Sequence, residues 1–313
     1  MHHDDILHSI GNTPLVELKH CSPRADLRFF AKLEGYNPTG SVKDRIASAM
    51  ILREEESGRL RPADTIVVAS TGNTGISLSM VGRARGYRVR VVMPENVYPE
   101  IARTLVAYRA EIECVPADKG VREAIQVARR LADENGWVCL DQFESEYNVE
   151  AHHTTTGPEI LRDLDRVDAF VAGLGTGGTL MGVGRRLKEA NPDTLVVAVE
   201  PHPGYQVQGL KSLADGFVPP ILDFDMLDSK ILVRSQHAFR ATAELMKREA
   251  ILAGISSGAV LHAALKVAPR IKRGNVVLLF ADSGWKYLET RLWTEDPPVD
   301  EDEAESLDDT IWW

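Results

Sequence analysis

The stretch Gly173-Leu174-Gly175-Thr176-Gly177-Gly178-Thr179 sits between a strand-like run at 168–172 and a helical pattern at 177–190. Small residues in that position bring backbone N–H groups to a helix N-terminus, where anions bind. The spacing also satisfies G-x-G-x-x-G through Gly173, Gly175 and Gly178. Glu200 then ends the next strand 22 residues on, about where a dinucleotide fold keeps its ribose-binding acid. Against that reading, Thr176 and Thr179 add hydroxyls that suit a terminal phosphate monoester better than a passing pyrophosphate.

The same alternation extends outward along the chain. Strands are expected at 27–33, 65–69, 88–93, 111–115, 137–140, 168–172, 194–200, 230–233 and 276–281, and helices near 41–56, 73–85, 99–109, 120–135, 177–190, 237–249, 257–268 and 283–291. Strand and helix in alternation mean an α/β protein with largely parallel sheets. The polar, weakly periodic segment 141–157 is the best place for a crossing between domains.

A chain of 313 residues is long enough for two domains or one large one. The net charge of -10 comes almost wholly from the tail, because residues 295–313 hold nine acids and no Lys or Arg, leaving 37 acidic against 36 basic residues elsewhere. A neutral body with an acidic end lacks the basic footprint of a nucleic-acid binder and the polybasic patch of a membrane-surface protein. Neither partner is expected. No apolar stretch approaches a membrane span, and Met1-His2-His3-Asp4-Asp5 carries no apolar leader, so the cytoplasm is the expected address. Cys21, Cys114 and Cys139 are odd in number and unpaired in spacing, and read as buried reduced thiols. The pairs His2-His3 and His152-His153 do not form a ligand set, since adjacent histidines do not share a helix face; no metal is expected.

Three further turns carry chemistry. In Asn37-Pro38-Thr39-Gly40-Ser41-Val42-Lys43-Asp44-Arg45, Ser41 and Asp44 fit a capping box, which puts Lys43 in the first helical turn. A cation there faces the positive end of the helix dipole, a place that suits an amine needed neutral for attack on a carbonyl; a solvated surface lysine is the plainer account. Ser70-Thr71-Gly72-Asn73-Thr74-Gly75 gathers hydroxyls and N–H groups at another helix start, fit for a phosphate or carboxylate or for simple capping. Gly254-Ile255-Ser256-Ser257-Gly258-Ala259 reads locally as a serine N-cap.

Taken in order, these loops resemble the cysteine synthase family of fold-type II pyridoxal-phosphate (PLP) enzymes. The resemblance runs from Ile10-Gly11-Asn12-Thr13-Pro14-Leu15 to Tyr287-Leu288 and includes Lys32-Leu33-Glu34, Met93-Pro94-Glu95 and Thr155-Thr156-Gly157-Pro158-Glu159-Ile160. Within the family it is most similar to the actinobacterial O-phosphoserine sulfhydrylase, or carrier-protein-dependent cysteine synthase, branch. That likeness rests on residues 174–182, Asp215-Gly216-Phe217-Val218-Pro219, residues 258–264 and Gly284-Trp285-Lys286-Tyr287-Leu288.

The resemblance implies two domains, each a mostly parallel sheet flanked by helices: 1–43 with 151–294 as the larger PLP-binding domain, and 44–150 as a smaller mobile substrate-binding domain closing over the ligand. Residues 295–313 form an acidic C-terminal tail. The resemblance further implies that Lys43 carries PLP as a Schiff base and removes the α-proton. Gly175, Thr176, Gly177, Gly178 and Thr179 would cradle the cofactor phosphate, Asn73 meet its 3′-oxygen and Ser256 its ring nitrogen. Ser70, Thr71, Asn73, Thr74 and Gln142 would bind the substrate, with Lys211 standing where the phosphoserine-using branch carries Arg. The implied activity is β-replacement on an activated L-serine through an α-aminoacrylate, O-phosphoserine favoured over O-acetylserine, with a sulfur nucleophile giving L-cysteine. The implied partners are a second copy in a homodimer and a small thiocarboxylated sulfur-carrier protein. One departure bears on the nucleophile: after Gln142-Phe143 the family's Asn-Pro is replaced by Glu144-Ser145-Glu146. The tail reads as disordered; because it ends in Ile311-Trp312-Trp313, it is also expected to fold back as a lid, its terminal carboxylate on Ser70, Thr71 and Gln142.

Overall fold

The computed structural model describes residues 2–293 and the backbone of a short strand at 310–312. Residues up to Gly11 pack with Asn37–Ala151 as one compact unit, and Asn12–Tyr36 with the described residues from His152 onward as another. The chain thus enters the smaller unit at Asn37, so that Lys43 begins a helix of that unit.

In chain order, β1 (Leu15–Glu17) and β2 (Leu27–Leu33) belong to the larger unit. The smaller unit follows: α1 (Lys43–Glu56), β3 (Thr65–Ala69), α2 (Asn73–Ala84), β4 (Arg88–Pro94), α3 (Pro99–Ala107), β5 (Glu111–Val115), α4 (Gly120–Asn135), β6 (Val138–Cys139) and α5 (Glu146–Ala151). The larger unit resumes with a π-helical turn (His152–Thr156), α6 (Gly157–Asp163), β7 (Ala169–Gly173), α7 (Gly178–Ala190), β8 (Leu195–Pro201), β9 (Ser229–Val233), α8 (Ser235–Glu249), α9 (Ile255–Val267), β10 (Gly274–Phe280) and β11 (Thr310–Trp312).

The smaller unit holds a four-stranded sheet of order β5-β4-β3-β6, parallel throughout. All five residues of β3, Thr-Ile-Val-Val-Ala, are buried, as expected of a central parallel strand covered on both faces. The larger unit holds a seven-stranded sheet of order β1-β2-β10-β7-β8-β9-β11, parallel except for β1 and β11 at its edges. The loops at 70–72 and 174–177 leave the carboxyl ends of β3 and β7, where open α/β sheets bind their ligands.

Several expectations are corrected. Segment 141–157, within which the chain passes from the smaller unit to the larger between Ala151 and His152, is mostly helical: Asn148, Val149 and Ala151 are buried, and the Asn148 amide donates to the Gln142 carbonyl at 2.8 Å. Residues 283–291 form only a 3-10 helix, Gly284–Thr290. Cys21 is buried, but Cys114 is exposed and Cys139 half-buried. The body of the tail lies outside the described residues. Its last described residues, Thr310–Trp312, pair antiparallel with β9, from Ile231 down to Ser229, where an edge strand offers open backbone groups. The expected lid rests on the tail body and the Trp313 carboxylate, which lie outside the described residues. Among the described residues no helix is long and apolar enough to cross a membrane.

Candidate active site

In the smaller unit, Gly40 turns the chain with φ of 76° and Lys43 opens the 14-residue helix α1. The expected capping box forms in part. Val42 already has helical φ and ψ, and Ser41 caps the helix from just upstream, its hydroxyl accepting the Lys43 N–H at 3.3 Å. Asp44 turns to Thr39 instead of back to Ser41: the Thr39 N–H donates to the Asp44 carboxylate at 2.7 Å, the Thr39 hydroxyl donates to the same group, and Ser77 Oγ lies 3.2 Å from that hydroxyl. Lys43 is therefore a half-buried amine held between Val42 and Asp44, both buried.

After β3, the Ser70 hydroxyl knits its own loop by accepting the N–H groups of Gly72 (3.2 Å) and Gly75 (2.9 Å). A Cβ on Gly75 would lie 3.0 Å from Val91, so the helix start tolerates only glycine without a shift. Thr74 and Gln142, 68 residues apart, meet directly: Thr74 Oγ1 donates to Gln142 Oε1 at 2.6 Å, and both are buried. Thr71 is exposed and Asn73 half-buried. Arg129 on α4 grips Asp141 and Glu144 on either side of Gln142, at 2.7 and 2.6 Å.

In the larger unit, α7 opens at Gly178 behind Gly177, whose φ of 91° belongs to the left-handed region. Cβ atoms would meet Leu210 at Gly173 (2.3 Å), the Gly209 carbonyl at Gly175 (3.2 Å) and Leu222 at Gly177 (3.3 Å). The loop is thus shaped by missing side chains, with backbone donors and two buried threonines, Thr176 and Thr179, at the start of a 13-residue helix. Such a donor set fits a phosphate monoester. His152, fully buried, lies beneath it: Nε2 is 3.1 Å from Thr179 Oγ1 and Nδ1 3.0 Å from Thr156 Oγ1. Its neighbour His153 turns outward to Glu189, so the two histidines diverge.

Ser256 is buried at the second position of α9; Gly254, not a serine, caps that helix. The Lys211 N–H donates to the Leu174 carbonyl at 2.8 Å, which brings loop 209–216 against the glycine loop. Burial pulls the Lys211 ammonium below the usual lysine range, with the Asp215 charge opposing. Glu200 does not behave as a ribose-binding acid: one oxygen pairs with Lys230 Nζ at 2.5 Å and the other accepts the Leu213 N–H at 2.8 Å. The dinucleotide reading loses its acid. Burial also raises the Cys21 and Cys139 thiols, to about 12 and about 11, so both stay protonated near neutral pH.

Two elements escaped the sequence reading, His152 beneath the glycine loop and the Arg129 grip on the Gln142 segment. Adjacent histidines and a helix-borne arginine carry no local signal of either contact.

A helix-opening lysine in one α/β unit and a phosphate-fitting glycine loop in the other are compatible with the class of pyridoxal-phosphate enzymes. The sequence pattern of the family described as "Pyridoxal-phosphate dependent enzyme" matches residues 6–282, and the chain belongs to that family. Its cofactor is pyridoxal phosphate. Among relatives, the cysteine synthase of Staphylococcus aureus is 41% identical, covering 94% of this chain and 98% of its own. Among solved structures, O-ureido-L-serine synthase is 37% identical with a TM-score of 0.89, covering 98% of this chain and 100% of its own. The cysteine synthase of Entamoeba histolytica is 32% identical with a TM-score of 0.88, covering 96% and 94%.

Proposed function

We propose that this chain replaces the β-substituent of an activated L-serine with a sulfur nucleophile, giving L-cysteine, as the names of its cysteine synthase relatives suggest. The observation that carries the reading is Ser256, a neutral buried hydroxyl in the first turn of α9, assigned here to the cofactor's ring nitrogen. A hydroxyl does not hold that nitrogen protonated as a carboxylate would, and the weaker electron sink favours prompt loss of a β-substituent.

When bound, pyridoxal phosphate supplies the sink that labilises the α-proton and β-substituent of an amino acid. Lys43 anchors the cofactor through Nζ and, once released, takes the α-proton at that atom. Gly175, Thr176, Gly177, Gly178 and Thr179 receive the phosphate through N–H and hydroxyl donors, and Asn73 meets the 3′-oxygen. Ser70, Thr71, Thr74 and Gln142 orient the substrate carboxylate; Ser70 does so chiefly by shaping its loop.

Lys211, a half-buried cation beside Leu174, supports O-phosphoserine as donor over O-acetylserine, in keeping with the sequence likeness to the phosphoserine-using branch. The proposal includes a homodimer and, as sulfur source, a thiocarboxylated carrier protein. A second reading, synthesis of another β-substituted alanine such as cysteate or diaminopropionate, is favoured by Glu144 at the end of the Arg129-gripped segment and by the similarity to O-ureido-L-serine synthase.

Lys43→Ala tests the core of the proposal. Turnover is expected to fall by at least about a thousandfold, with the visible cofactor absorbance shifted and the fold intact by circular dichroism; normal activity would overturn the assignment. Product masses with sulfide and with amine nucleophiles separate the two readings. Comparing both donors in the wild type and in Lys211→Ala decides the donor.

A further inference from the structure

Glu200 and Lys230 take no part in the chemistry above, yet they meet the backbone that carries Lys211. Glu200 ends β8 with 2% of its surface exposed, and the Lys230 side chain on β9 is 13% exposed. A carboxylate so enclosed needs a cation beside it. Lys230 Nζ supplies one at 2.5 Å, and the second Glu200 oxygen accepts the Leu213 N–H at 2.8 Å. Leu213 opens a single 3-10 turn, Leu213–Asp215, in which Ser212 Oγ accepts the Ala214 N–H.

Lys211 therefore sits between two fixed points. On one side its own N–H is bound to the Leu174 carbonyl at 2.8 Å; on the other, Leu213 is bound to Glu200. Outside these anchors stand Gly209 (φ 86°) and Gly216 (φ 76°), which let the chain bend at both ends. The bond to Leu174 holds the Lys211 backbone itself, and the bond to Glu200 holds the turn that follows it. A hydrogen bond within an ion-paired carboxylate is stronger than one between neutral groups, and Lys230 Nζ lies 2.5 Å from the other oxygen of the same carboxylate. β9 is itself bordered by β11, with Ile311 in register with Lys230.

We infer that Glu200 and Lys230 act as a positioning pair that fixes loop 209–216, places Lys211, and so sets selectivity for serine donors bearing a phosphate over uncharged ones. The selectivity part rests on the reading of Lys211 given above; the fixing of the loop does not.

The test uses the cofactor-loaded enzyme. Lys230→Met is expected to raise deuterium uptake across 209–216 several-fold. KM for O-phosphoserine should rise about fivefold or more, with kcat and the KM for O-acetylserine within about twofold. Lys230→Arg restores both readouts. Glu200→Gln keeps an oxygen for the Leu213 N–H while removing the charge, and gives a smaller change in the same direction, so the idea stays testable should one variant misfold. Unchanged uptake in both variants overturns the inference. Raised uptake with an unchanged donor ratio overturns its selectivity part, and Lys211→Ala assayed alongside separates the causes. If Lys211→Ala also leaves the ratio unchanged, the Lys211 reading falls; if it abolishes the preference, that reading stands and the pair does not act through it.

Discussion

Loops 70–75 and 173–179 both leave a parallel strand and open a helix, yet they are built in opposite ways. The first is held by side chains: Ser70 accepts two backbone N–H groups of its own turn, and Thr74 is committed to Gln142. The second is held by their absence, its glycines pressed against Leu210, the Gly209 carbonyl and Leu222. A loop whose hydroxyls are anchored side chains presents a few directed donors, suited to a planar carboxylate. A loop whose backbone is bare presents a ring of N–H groups, suited to a phosphate. The same local topology thus yields two loops of different donor chemistry, and the side chains decide the difference.

The contrast predicts different failures. The largest effect is expected at Gly177→Ala. An L-residue in the left-handed region costs about 1–2 kcal/mol, and its Cβ would press on Leu222 at 3.3 Å. The loop should shift and cofactor affinity fall by at least about tenfold, read as visible absorbance retained after dialysis. Full retention would show that the bare backbone is not what holds the phosphate.

Thr74→Val makes the complementary break. It removes the 2.6 Å bond to Gln142 and leaves a buried amide oxygen without that donor, a change of about 1–3 kcal/mol. KM for the amino-acid substrate should rise about tenfold while cofactor retention stays at the wild-type level. Loss of cofactor in this variant would erase the distinction between the loops.

The smallest effect concerns pH. Burial depresses the Lys211 pKa below the ordinary lysine value of 10.5, so its cation is complete below that depressed value and is lost as pH rises through it. Preference for O-phosphoserine over O-acetylserine should therefore decline on the alkaline side before pH 10.5, which the ratio of kcat/KM for the two donors measures. For stability the sign is opposite to a favourable ion pair: the folded chain binds this proton less tightly than the unfolded one, so this group alone favours folding as pH rises.

Much of this was legible before any coordinates. β-branched runs and turn chemistry located β2, β3 and β5 at their observed bounds: β3 is fully buried and leaves an unbroken apolar stretch, whereas β5, a half-exposed edge strand, is marked by alternation and by the turns around it. β1, three residues long, and α5, six residues with a polar surface, fell below what periodicity resolves. Local conformation was legible where glycine or a helix start marks it, as at Gly177 and Lys43. The Ser41 cap was legible, its hydroxyl accepting the Lys43 N–H, whereas the turn of Asp44 to Thr39 rather than back to Ser41 depends on the path of the preceding loop.

The sequence alone determined the order of strands, loops and helices, the places where only glycine fits, and the lysine that opens α1, since each follows from steric and hydrogen-bonding preferences acting over a few residues. Tertiary structure alone decided that Thr74 meets Gln142, that His152 lies beneath Thr179, that Glu200 holds the Lys211 loop rather than a ribose, and that the final strand borders β9. Those pairings join residues 13 to about 80 positions apart, and burial selects them only once the sheets have formed, because an enclosed polar group must find its partner wherever packing brings one.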